Sequence, residues 1–137
     1  MSDIDDAELV AWVTGLNTGA NSVHMSSAGQ NKSYPLIVIR RTGGTTPRTT
    51  NGKNLWTRTF YEFHVLHSGK RDDGQGGYGA AMAIALQLKA GIHGFRGAIG
   101  NVTIMGAVCQ SEPVDASEAD GDRITRWIQL SFLMVSN

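Results

Sequence analysis

Trp56-Thr57-Arg58-Thr59-Phe60-Tyr61-Glu62-Phe63-His64-Val65-Leu66-His67 is the stretch whose reading sets the fold class. Tyr61, Phe63 and Val65 alternate with Arg58, Glu62 and His64, and a period of two belongs to a strand with one face in a core. Trp56, Phe60 and Leu66 fall on the second face with the polar set. That face therefore carries apolar area of its own.

Upstream, Pro35 opens Leu36-Ile37-Val38-Ile39, a β-branched run with its proline at the first position, where a ladder donor can be spared. The run ends at Thr42-Gly43-Gly44. Thr45 to Asn54 holds Pro47, Gly52 and many Thr and Asn turn-formers, which reads as a long surface loop. Asn17 to Ser33 is rich in Gly, Asn, Ser and Thr and reads as an irregular, flexible polar arm. Before it, Asp5 and Asp6 suit a helix N-terminus, and Leu9, Trp12, Val13 and Leu16 form one apolar stripe.

Downstream, Ser68 to Gly77 is a glycine-rich charged loop, and Tyr78 to His93 is a helix built from Ala, Leu, Ile and Met, closed by Gly94. Val102 to Cys109 and Thr125 to Val135 read as strands. Glu112 to Asp122 lies between them as an acidic hairpin connection. The order is helix, strand, strand, helix, strand, strand. It predicts a single α+β domain over residues 1–137, with a four-stranded, mostly antiparallel sheet packed with one long helix and a short N-terminal helix.

The 137 residues suit one core, and Lys plus Arg balances Asp plus Glu at 12 each, so no global field pulls the chain to nucleic acid or to an anionic membrane. The acidic start Met1-Ser2-Asp3-Ile4-Asp5-Asp6 does not read as a signal peptide, and no apolar run reaches the ~18 residues of a span. Synthesis and residence in the cytoplasm are expected. The single cysteine, Cys109, reads as a small, inert core residue.

The chain carries few residue patterns that point to chemistry. His64 and His67 differ by an odd number on a strand and point to opposite faces, while His24 lies in the polar arm and His93 at a helix end, where a cation suits the dipole. No metal is expected. Gly69-Lys70-Arg71 and Gly52-Lys53-Asn54 lack the Ser or Thr of a phosphate-cradling loop, and no Gly-x-Ser-x-Gly is present. Asp72-Asp73 and Asp120-x-Asp122 lack calcium-loop spacing and read as solvated turns. No catalytic residue, cofactor or small-molecule substrate is assigned.

Charge and apolar pattern remain. From Leu36 to Tyr61 stand five cations, Arg40, Arg41, Arg48, Lys53 and Arg58, with no acid, whereas Glu112 to Asp122 holds five acids and no cation. Such segregation in a neutral chain suggests surfaces that meet each other or a partner; two merely soluble loops are the alternative. In the Tyr78–Ile92 helix the long polar residues are Gln87 and Lys89, about 200° apart on the wheel. Its remaining face asks for cover by a neighbouring subunit, which makes Ile84 and Leu88, with Trp56 and Phe60 of the strand, candidate interface residues. Cover by the N-terminal helix is the alternative.

The layout resembles the small tail-terminator and minor-capsid proteins of tailed phages. The likeness spans about Tyr34 to Val135 and rests on the stretches Pro35 to Pro47, Phe60-Tyr61-Glu62-Phe63-His64-Val65, and Ala80 to Gly94 ending Gly91-Ile92-His93-Gly94. What the resemblance implies is a virion protein without an active site: a ring, usually a hexamer, that terminates the tail tube and joins it to the neck. Tail tube and neck proteins are then its partners, and the loop Gly43 to Asn54 with its cations is the expected contact. A head-completion or connector protein is a second expectation. A small nucleic-acid-binding module using Arg40 to Arg58 with Trp56 and Phe60 is a third.

Overall fold

The computed structural model describes residues 4–26, 34–46, 56–68, 77–121 and 123–136. In chain order they form α1 (Asp6–Thr14), β1 (Val23–Met25), β2 (Leu36–Thr45), β3 (Thr57–His67), α2 (Tyr78–Ile92), β4 (Gly97–Ile99), β5 (Val102–Asp120) and β6 (Arg123–Ser136). One six-stranded sheet results, in the order β1-β2-β3-β6-β5-β4. β1 runs parallel to β2, and the other pairs are antiparallel.

This corrects the four-stranded expectation in two ways. The sheet gains a three-residue strand at each edge, one inside the segment read as a polar arm and one just after α2. β1 is nonetheless firmly held: Ser22 O accepts from Ile37 N at 2.9 Å, and Ser26 N donates to Ile39 O at 2.8 Å. The acidic connection is also strand. β5 and β6 stay paired out to Asp120↔Arg123, and Gly121, between them, takes φ 63°. A positive φ at that position is what tight hairpin turns require, and glycine meets it without a Cβ penalty.

Alternation along the strands sorts the core. Tyr61, Phe63 and Val65 of β3, Ile128, Leu130 and Phe132 of β6 and Ile37 and Ile39 of β2 are fully buried on one face. α2 covers this face over β3, β6 and β5, contributing Ala81, Ile84, Ala85, Leu88 and Ile92. α1 adds Leu9 and Val13. It touches both β1 and β4, which lie at opposite edges of the sheet. Five strand spacings of a flat sheet measure about 24 Å, while a nine-residue helix is about 14 Å long. The sheet therefore curls around its helices, and its other face is outer and convex.

α2 ends as its sequence demands. Ile92 is its last residue, and Gly94 takes φ 81° and donates its N–H to Ala107 O at 2.7 Å. Beside that bond, the backbone N–H of Cys109 donates to His93 Nδ1 at 2.9 Å. A ring nitrogen that accepts carries no proton, so His93 is a neutral acceptor binding helix to strand, not the cation expected for the helix dipole.

Candidate functional site

The candidate interface residues divide. Ile84 and Leu88 face the sheet and are 3% and 0% exposed, so they belong to the subunit's own core and cannot meet a neighbour. The outward stripe of α2 is Gly79, Ala83, Leu86 and Ala90, of which Leu86 is the large member. Alanines hide little area, and α2 makes a smaller demand for cover than its composition suggested. Trp56 and Phe60 are half-buried.

Arg40, Arg41 and Arg58 are exposed, while Arg48 and Lys53 lie outside the described residues, as does the loop Gly43 to Asn54 beyond Thr46. The first three do not act alike. Arg41 bends to the helix side, where its guanidinium donates to Ile4 O at 3.4 Å and Tyr61 Oη at 3.3 Å and sits 5.8 Å from the Tyr61 ring centroid. Arg40 pairs across the ladder with Glu62, and Arg58 with Thr45 and Val135, which places both arginines on the outer face. A carboxylate in the middle of that face does not suit a phosphate track.

The outer face can be read row by row from the register. Arg58, Val135 and Gly106 form one row; Phe60, Leu133 and Val108 the next; then Glu62, Ser131 and Ser111; then His64, Gln129 and Val114; then Leu66, Trp127 and Ala116. Trp127 is stacked on His64 with centroids 5.1 Å apart, and its Nε1–H donates to Gln129 Oε1 at 3.1 Å. Glu62 Oε1 is hydrogen-bonded to His64 Nε2. No helix lies over these rows among the described residues, and Val108 and Val114 remain 49% and 57% exposed.

The acids of the long hairpin line β5. Glu112 receives Lys89 Nζ at 2.6 and 2.7 Å, and this hydrogen bond is the main cause that raises the Lys89 pKa. Asp115 lies 3.6 Å from the buried His67, and Glu118 is exposed. β1 pairs with β2 only at residues 37–39, and β4 with β5 only at residues 102–104. Among the described residues, no strand pairs with residues 40–45 of β2 on the side away from β3. The same holds for residues 105–120 of β5 on the side away from β6.

The sequence placed His67 on a face but not its depth: it is 4% exposed with its ring edge-on to Tyr78 at 5.9 Å. Its odd spacing from His64 does place the two rings on opposite faces. Among the described residues no three His, Cys, Asp or Glu side chains gather as a metal would need. No helix is long and apolar enough to cross a membrane.

No protein-family model and no curated protein matches the chain. Among solved structures, one chain matches 94% of this chain over 89% of its own length, with a TM-score of 0.52 at 14% identity. At that identity the likeness concerns the fold alone, a curled sheet with helices on one side.

Proposed function

We propose that the chain is a structural subunit that closes into a ring with copies of itself and, in a tailed phage, terminates the tail tube and joins it to the head or neck. The observation that carries the reading is the placement of charge on one sheet. Two of its margins, unpaired by any strand among the described residues, have opposite sign: Arg40 on β2, and Glu118 on β5 with Glu112 and Asp115 along the same strand. Unlike margins at opposite sides of a subunit fit a head-to-tail contact, and head-to-tail contacts generate rings when the rotation closes. The curl of the sheet supplies such a rotation.

The margins favour a contact through side chains over a continuous ladder. Pro113 has no N–H to offer, and β5 is bulged between Cys109 and Val114. Both features, with the acids, are those by which edges resist backbone pairing. The resemblance of the Pro35–Pro47, Phe60–Val65 and Ala80–Gly94 stretches to tail-terminator proteins supplies the setting. A head-completion or connector role uses the same surfaces in the same way. The proposal contains no catalytic step.

The test is assembly in the phage. Replacing Arg40 and Glu118 each by the opposite charge is expected to leave the fold intact, since exposed charges contribute little to stability. Each single change should yield heads without tails or tails of uncontrolled length, and the double change should recover joining. Normal particles from both single variants would overturn the reading.

A further inference from the structure

Among the described residues, each margin of the sheet is open over part of its length only. On β2, β1 pairs with residues 37–39 and Ser26 N donates to Ile39 O at 2.8 Å, so that margin opens at Arg40. On β5, β4 pairs with residues 102–104. Beyond β4 the end of α2 occupies the same side: Gly94 N donates to Ala107 O at 2.7 Å, and Cys109 N donates to His93 Nδ1 at 2.9 Å. The β5 margin therefore opens only past Cys109.

The register sets the two openings at different heights. Arg40 stands level with Glu62, Ser131 and Ser111, and Thr45 with Arg58, Val135 and Gly106. Two copies placed edge to edge at equal height would press residues 40–45 of one against residues 106–111 of the other, where His93 and Gly94 already sit. A slide along the strands removes the obstruction. Even steps keep outer side chains beside outer side chains. A step of six residues brings Arg40 level with Glu118, since Glu118 pairs with Thr125, six residues before Ser131 on β6. Thr45 then falls level with Val114, the partner of Gln129. β1 of the moved copy comes level with Ala119 at the end of the hairpin, and β4 lies well clear of the contact.

We propose that neighbouring copies meet in a lap joint, in which residues 40–45 of β2 on one copy lie beside residues 114–118 of β5 on the next, displaced along the strands by about 20 Å. The blocked lengths and the charges select the same displacement, and exposed Arg40 and Glu118 face each other across it. The joint rests on the ring reading and adds to it the residues that meet and their offset. Copies in a closed ring do not climb along its axis, so the strands lean from that axis by an angle that the offset sets.

Disulfide trapping reads the offset directly. Full-length protein carrying Cys109→Ala receives Thr45→Cys with Val114→Cys, both at exposed positions that leave Arg40 and Glu118 in place. Within one chain the two sites are three strand spacings apart, about 14 Å, beyond the reach of a disulfide. At about 0.01 M salt, where charges act over about 30 Å, oxidation is expected to give a ladder of covalent oligomers. It should end at the copy number that native mass spectrometry finds for the unmodified protein. A mixture of the two single variants should stop at the dimer. Glu118→Arg should remove at least nine-tenths of the product, and Arg40→Glu added to it should restore the ladder. Thr45→Cys with Gly106→Cys, the pair that matches copies at equal height, should give none. Bonding through Gly106→Cys, or an oligomer that forms while the Val114→Cys pair stays unlinked, would overturn the offset and leave the ring reading standing. A protein that is monomeric at every salt concentration would overturn both.

Discussion

At the residue scale, several contacts make definite demands. His93 accepts from the Cys109 amide through Nδ1, so its proton resides on Nε2. Nitrogen chemical shifts of the imidazole should report that tautomer, and His93→Ala should cost about 1 kcal/mol in chemical unfolding. Burial raises the Cys109 pKa, and its Sγ–H donates to Ser111 O at 3.1 Å. At pH 8 a thiol reagent should label it several-fold more slowly than a free cysteine, and equal rates would contradict the placement. The cysteine is partly buried where the sequence suggested a plain core residue, because alternation gives the face and not the depth. For Lys89 the raised pKa has a clear sign: the tie to Glu112 persists below the ordinary lysine value of 10.5 and is lost as pH rises through the higher folded value. The difference in Tm between the protein and Lys89→Met should therefore stay level through neutral pH and vanish only in strong alkali. Gly44 is tight for another reason. A Cβ there would sit 2.6 Å from the Arg58 carbonyl oxygen, so Gly44→Ala should cost about 1–3 kcal/mol. At Gly106 nothing lies within 4 Å, and Gly106→Ala meets no such clash.

At the scale of elements, periodicity told most where it ran longest. The alternation of β3, the apolar stripe of α1 and the span of α2 were all legible, because each repeats its pattern over two or more turns or pleats. β1 and β4 were not, since three residues such as Val23-His24-Met25 give no period and are held by hydrogen bonds from β2 and β5. The acidic connection Glu112 to Asp122 was misread for a different reason. Charged residues lower strand propensity, yet pairing with β6 carries them, and the signal that would have marked the end of the strand was the turn dipeptide Asp120-Gly121 between two runs. α2 shows how composition misleads about faces. Ile84 and Leu88 looked available and are core, so Leu88→Ala should cost about 2–5 kcal/mol, whereas Leu86→Ala on the outward stripe should change stability by less than about 0.5 kcal/mol. Ile84→Asp should unfold the chain and not merely disperse an assembly, and a folded, monomeric Ile84→Asp protein would contradict its position.

At the scale of the whole molecule, the arginines of β2 and the acids of β5 stand towards opposite sides of the sheet among the described residues. The sequence showed the two charge blocks, but not that β2 and β5 lie near opposite margins, because sheet order depends on pairings distant in the chain. Nor did it show that Arg41 is engaged with Tyr61 and Ile4 O, which leaves Arg40 and Arg58 as the outward cations of the described residues in this region. The ring reading depends on those margins meeting between copies. Its most direct test is native mass spectrometry of the purified protein, followed across salt concentration. The account predicts a closed oligomer of one fixed copy number at low ionic strength that falls apart as salt rises, and that is lost in Arg40→Glu and recovered on mixing with Glu118→Arg. A protein that stays monomeric at every salt concentration, or an oligomer indifferent to salt and to both charge reversals, would contradict it.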